Sequence, residues 1–278
     1  MRKHILGLDH VVIAVRDLER AREAYSRFGF MLTPRGHHSL GSQNHCIMFG
    51  RDYLELLAVP KAHPSLEYYS DFIARGEGVA ALGLATDDAA AAHAELAAAG
   101  VSPDPPLALS RPVALADGIR EASFGIVQLP VSRTPGCRVF LCQHFTRELV
   151  WRPQYQSHAV GATGIAALAL VVEDPVGAAE AYRQILAGAT ERIEEGRLVA
   201  TGGAPLAFAS RWKLGHRLEG VGLPLRARPL VAALFIRVAD RARALEVLRR
   251  GGAAPIALKD GSCAVSAEQA HGVALVFG

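Results

Sequence analysis

The chain has 278 residues, half of them hydrophobic, and a formal net charge of +3. That composition fits a globular chain with a sizeable core and excludes a disordered one. No apolar run reaches the roughly 18–20 residues of a membrane helix, and the scattered basic residues argue against a nucleic-acid surface. The pairs Arg249–Arg250 and Arg226/Arg228 read as solvated faces.

The N-terminus carries two basic residues and then an apolar stretch that Asp9 and His10 interrupt, with no cleavage site after it. It reads as a first strand and not as a signal peptide. The same pattern then appears four times: an apolar strand, an Asp, an Ala-rich helix and a Gly. The strands fall at 8–15, 79–86, 165–173 and 230–238. The predicted N-caps are Asp17, Asp87 or Asp88, Asp174 and Asp240, because a carboxylate accepts a bond from a free helix amide. Gly29, Gly100, Gly188 and Gly251 are the predicted helix stops.

The first module spans 8–59, with a helix over 18–28 and extended runs at 30–34, 45–49 and 53–59. The second spans 79–145, with a helix over 89–99, a proline-rich connection over 103–112, and strands at 121–128 and 138–145. A polar-aromatic linker covers 146–164. Modules three and four cover 165–214 and 230–277, joined through a Gly/Pro/Arg stretch at 219–229. Each helix precedes two or three strands and no G-x-G-x-x-G follows a first strand, which argues against a doubly wound dinucleotide fold. The period suits a βαβββ module and an α+β fold.

Among the four opening strands only the first carries a histidine, His10. Nine of the eleven histidines precede residue 160, which points the chemistry to the first half. By strand alternation His10 shares a face with Leu8, Val12 and Ala14, and Glu55 with Tyr53 and Leu57. An imidazole and a carboxylate on apolar faces are costly unless paired or metal-bound. One His, one Glu and a further His or Gln suit Fe(II), Mn(II) or Zn(II). The alternatives are a structural histidine bonded to Asp9 and a Glu55 that faces solvent. Gln143 and His144 cannot both point inward, being neighbours on a strand. His37, His38 and His45 read as loop or pocket-rim residues. Cys46, Cys137, Cys142 and Cys263 lack a C-x-x-C clip, and free thiols imply a reducing cytoplasm. No G-x-S-x-G, H-E-x-x-H or P-loop occurs.

The run LDHVVIAVRDLERAREAYSRFGF with DYLELLAV resembles the vicinal oxygen chelate superfamily, which includes glyoxalase I, extradiol dioxygenases and antibiotic-resistance proteins. Thr33-Pro34-Arg35-Gly36, His38, Gly41 and Asn44, followed later by Gln143-His144, Trp151-Arg152-Pro153, His158 and Gly161-Ala162, resemble the glyoxalase-like domain proteins in particular. The resemblance implies four modules in two pairs, each pair forming a curved mixed-sheet cleft. It implies a site-bearing unit over 1–146, a linker over 147–164 and a degenerate unit over 165–278. It places metal ligands at His10, Glu55 and His144, with Glu55 also a catalytic base. Asn44, Gln143, Trp151, Arg152 and His158 become substrate-binding candidates. Trp151, Arg152 and His158 are expected to fold back over the cleft, with a structural clasp as the alternative. The first-strand ligand of the second module falls on Ala80 or Ala81 and is lost, while Ala167 and Ala233 take that place in the second pair. The expected function is a metal-dependent lyase, isomerase or dioxygenase acting on a small oxygen-bearing molecule. The rival is a metal-free binding or sequestration protein. Expected partners are a small-molecule substrate and neither nucleic acid nor membrane, with a homodimer left open.

Overall fold

Four aspartates start the four module helices. Asp17, Asp88, Asp174 and Asp240 accept from helix amides two or three residues ahead. Asp88, not Asp87, makes the second cap, and Asp87 instead meets His4 at 2.9 Å. Gly29 and Gly100 take the left-handed turn at φ +85° and +73°. The other two stops shift by one residue. Ala187 is left-handed in place of Gly188, and Gly252 in place of Gly251. Close approach explains why those glycines remain: a Cβ on Gly251 would overlap the Arg27 carbonyl, and one on Gly188 the Ala200 carbonyl.

The computed structural model describes residues 1–115, 118–225 and 230–278, so the Arg226/Arg228 pair lies outside the described residues. The first half contains β1 (Gly7–Ala14), α1 (Leu18–Arg27), β2 (Gly36–His37), β3 (Gln43–Met48) and β4 (Tyr53–Ala58). It continues with α2 (Glu67–Ala74), β5 (Gly78–Ala85), α3 (Ala89–Ala98), β6 (Leu107–Leu115), β7 (Gly118–Gln128), β8 (Arg138–His144) and α4 (Arg147–Val150). The second half repeats the plan. Its elements are β9 (Ala162–Val171), α5 (Pro175–Leu186), β10 (Thr190–Ile193), β11 (Gly196–Val199), β12 (Leu206–Ala209) and α6 (Arg211–Arg217). They end with β13 (Leu230–Val238), α7 (Arg241–Arg250), β14 (Ile256–Ala257), β15 (Cys263–Val265) and β16 (Ala274–Phe277).

Each half is one eight-stranded mixed sheet, ordered β2-β3-β4-β1-β5-β8-β7-β6 and β10-β11-β12-β9-β13-β16-β15-β14. Within a module the first strand lies parallel to the last, as β1 does to β4 and β9 to β12. Two modules meet antiparallel through their first strands, β1 with β5 and β9 with β13. The fold is therefore four βαβββ modules in two pairs. The run at 30–34 forms no strand, and the short β2 replaces it, because Phe30 turns into the core. The proline-rich connection contains β6. Pro112 is tolerated there because β6 is a sheet edge and needs partners on one side only.

The four module helices and the convex faces of both sheets share one hydrophobic core. Tyr25, Leu96, Tyr182 and Leu248 enter it from α1, α3, α5 and α7, each side chain contributing about 1.5–3 kcal/mol on burial. Tyr25 also donates to the Ala270 carbonyl at 3.1 Å, tying the halves together. The concave faces differ. In the second half, Leu214 of α6, Leu218 and Val221 fill the concavity against Ala169, Ala232, Ala233 and Ala274. In the first half, α2 stands at the rim and the concavity stays open. Among the described residues no helix is long and apolar enough to cross a membrane.

Candidate active site

The first sheet curls until its edge strands β2 and β6 approach each other. A cavity of about 190 Å³ lies inside the curl. Alternation assigns its wall: Asn44 and Cys46 from β3, Tyr53, Glu55 and Leu57 from β4, Phe124, Ile126 and Gln128 from β7, and Arg138, Phe140 and Cys142 from β8. A cavity of comparable size lined by apolar side chains admits a benzene-sized molecule.

Strand β1 departs from alternation at one residue. Leu8 pairs with Leu84 and His10 with Gly83, so Asp9 is a bulge without a cross-strand partner. The bulge turns Leu8 into the core and brings the Asp9 and His10 side chains together. Asp9 Oδ2 lies 2.6 Å from His10 Nδ1 and 3.0 Å from His144 Nε2. Burial alone would push the Asp9 carboxyl up, but the two imidazole hydrogen bonds outweigh it and hold it at about 2. An ionised carboxylate only accepts, so His10 carries its proton on Nδ1 and turns Nε2 to the cavity.

The imidazole of His10 is clamped. It stacks on Tyr53 at 4.5 Å and meets the edge of Phe140 at 5.3 Å. A Cβ on Gly83 would stand 2.4 Å from His10 Cε1, so the ring occupies the space a side chain would need. Across the cavity His10 Nε2 faces Glu55 Oε2 at 3.7 Å. Asn44 Nδ2 donates to Glu55 Oε1 at 2.6 Å and fixes that carboxylate. His38 Nε2 stands 3.8 Å from the same oxygen, with Nδ1 at 2.8 Å from Ser42 Oγ. His38 is thus a pocket-rim residue, whereas His45 is buried in β3 and bonded to the Thr33 carbonyl at 2.8 Å. His10 Nε2 and Glu55 Oε2 present lone pairs to one gap, slightly wider than two ligands of one metal ion. That donor set, with open positions, fits a divalent metal held by His10 and Glu55.

The predicted third ligand lies elsewhere. Parity on β8 sends His144 inward beside Cys142, but its Nε2 is spent on Asp9. Among the described residues the one cluster with all ligand atoms within 4.8 Å is Asp9, Cys142 and His144, without His10 or Glu55. Burial holds the Cys142 thiol well above its ordinary range, so the cluster is a hydrogen-bonded network as it stands. Asp9 Oδ1 and His144 Nδ1 are its buried atoms without a partner.

Four substrate-binding candidates do not line the cavity. Gln143 faces away: it accepts from the Ala89 amide at 2.9 Å and donates to the Asp87 carbonyl at 2.7 Å, bracing the start of α3. His158 accepts from the Met31 amide at 3.0 Å and donates to the Met48 carbonyl at 2.9 Å. It is a buried clasp, and burial pushes its pKa down. Arg152 is turned to the Ala114 carbonyl. Trp151 closes one end of the concavity without entering the cavity wall, its edge on Tyr53 at 5.3 Å and on His144 at 5.0 Å. Asn44 alone of the five reaches the cavity. The sequence reading missed Asp9 as a partner of two imidazoles, and it missed Arg111 and Arg138. The adjacency of Asp9 to His10 was the available signal.

The second half carries different residues at the matching positions. Glu55 pairs with Val12 where Ala207 pairs with Ala169, so alanines stand at 207 and 167 for Glu55 and His10.

A curled sheet of two paired βαβββ modules around an imidazole–carboxylate pocket defines the class of fold. The chain matches the glyoxalase-like domain family over residues 8–186 and belongs to it. No curated protein sequence matches it. Among solved structures it resembles a hypothetical protein from Staphylococcus aureus, at 12% identity and TM-score 0.70, with 98% of each chain covered. It also resembles a mutant 4-hydroxymandelate synthase from Streptomyces coelicolor, at 14% identity and TM-score 0.58, covering 91% of this chain and 76% of that one. A fusion protein of a xylose isomerase-like TIM barrel with 4-hydroxyphenylpyruvate dioxygenase matches at 14% identity and TM-score 0.60. There 98% of this chain aligns with 48% of the other. At these identities the likeness concerns the fold.

Proposed function

We propose that the chain is an enzyme acting on a small oxygen-bearing organic molecule in the first-half cavity, with a divalent metal, Fe, Mn or Zn, at His10 and Glu55. The observation that carries this reading is the 3.7 Å gap between His10 Nε2 and Glu55 Oε2, with the far side of each group already held. Residues 1–146 form the site-bearing unit and 165–278 a degenerate copy. The neighbours named as a synthase and a dioxygenase support this reaction class by analogy.

A divalent metal held by His10 and Glu55 would supply Lewis acidity toward substrate oxygens. The protein's own residues do the rest. Asp9 keeps the proton on His10 Nδ1 and so keeps Nε2 available as a donor. Asn44 holds Glu55 Oε1, so Oε2 is the oxygen that would hold the metal and that, on leaving it, would accept a proton from a substrate carbon or hydroxyl. Tyr53, Phe140 and Ile126 exclude water from that transfer. Lyase, isomerase and dioxygenase outcomes share this arrangement.

Calorimetric titration of chelator-stripped protein with Mn²⁺, Fe²⁺ and Zn²⁺ tests it. One ion should bind per chain, and His10→Ala or Glu55→Gln should weaken binding at least 100-fold. Wild-type protein that binds none of the three favours the rival, a metal-free binding protein. The Asn44–Glu55 bond, which occupies one carboxylate oxygen, is the observation on that side.

A further inference from the structure

Among the described residues the cavity wall carries a single carboxylate, Glu55, and two guanidiniums, Arg111 and Arg138. Arg138 is the better placed. Its Cζ sits 3.9 Å over the Tyr68 ring. Tyr68 is itself fixed, donating to the Ala80 carbonyl at 2.8 Å and accepting from the Arg138 amide at 3.1 Å. Among the described residues the Arg138 guanidinium makes no hydrogen bond or ion pair. A stacked, oriented fork with its N–H donors unspent, on a wall that is mostly apolar in area, is built for a planar anion.

Register gives its place relative to the reacting end. Glu55, Val12, Ala81 and Arg138 are successive partners in one row across β4, β1, β5 and β8. Three strand spacings put Arg138 roughly 14 Å from Glu55 along the sheet, and less across the curl. Val12 and Phe140 line the wall between them, and Leu66 and Tyr69 reach it from the α2 side.

We infer that the substrate is an organic carboxylate with a compact apolar body, its carboxylate held by Arg138 and its oxygen-bearing reacting end turned to His10 and Glu55. This rests on the proposed site at His10 and Glu55 only for the reacting end. The anion contact is separate from it and from any metal.

The test uses 3-phenylpropanoate and 3-phenylpropanamide, which share a body and differ in charge, titrated calorimetrically into the full chain with chelator present. Wild-type protein should bind the acid at least tenfold tighter than the amide. Arg138→Met should bring the ratio to about one with the melting temperature within a few degrees of wild type. Arg138→Gln carries the same expectation if the methionine variant does not fold. Wild-type protein that binds none of Mn²⁺, Fe²⁺ and Zn²⁺ yet keeps this acid preference sinks the metal reading and leaves this one standing. Equal wild-type affinity for acid and amide overturns the inference, as does no binding of either. A preference that survives Arg138→Met and vanishes in Arg111→Met overturns the assignment to Arg138.

Discussion

Gly83→Ala is the smallest change that should disable the site. The added methyl would stand 2.4 Å from His10 Cε1 and 2.6 Å from Nδ1. The ring has no retreat, because Tyr53 stacks on one face, Phe140 meets it edge-on and Asp9 holds Nδ1. Either β5 moves away from β1, an overpacking cost of about 1–3 kcal/mol, or the ring rotates and loses a charge-assisted bond of about 1.5–3 kcal/mol. Relief of glycine's backbone entropy returns roughly 0.5–1 kcal/mol. The net is a loss of about 1.5 kcal/mol. At about 2.1 cal/mol/K per residue, a chain of 278 residues loses roughly 3 °C of melting temperature. The same displacement should weaken metal binding at least tenfold. Scanning calorimetry and a metal titration read both. An unchanged melting temperature with unchanged metal affinity would refute the claim that Gly83 makes room for His10.

Three further outcomes follow from the geometry. Asp9 is held at about 2, below the ordinary carboxylate value of 3.8; its stabilisation is full above pH 4 and is lost as pH falls toward 2, so Asp9→Asn should flatten the acid limb of a pH–stability curve by about 2 kcal/mol. His158→Ala strips partners from the Met31 amide and the Met48 carbonyl, and should cost about 2–4 kcal/mol in denaturant melts while leaving cavity ligands bound as before. Arg152→Ala, on a half-buried side chain that meets the Ala114 carbonyl and the Tyr155 ring, should change both stability and ligand affinity little; a tenfold loss of affinity would return it to the binding site.

The modules were legible because local chemistry sets them: apolar runs with an Asp cap and a glycine stop. His10 and Glu55 were legible because alternation on β1 and β4 puts each beside apolar neighbours, and only one of four equivalent strands carries a histidine. Asp9 was hidden by a bulge, since one unpaired residue swaps the faces before it and no sequence rule marks where it falls. Parity left Gln143 against His144 open until the start of α3 claimed the glutamine. Arg138 acquires its role from Tyr68, seventy positions away, and α6 fills the second cleft by contacts that no local pattern carries. His158 looked like pocket chemistry because an imidazole that bridges two backbone groups reads the same in sequence as one that meets a ligand.

A single position between His10 Nε2 and Glu55 Oε2 decides whether the cavity holds a metal. Anomalous diffraction from crystals soaked in Mn²⁺ tests it directly. The expected result is one peak about 2.0–2.3 Å from both atoms, absent in Glu55→Gln. A peak among Asp9, Cys142 and His144 instead, or no peak in the cavity, would contradict it.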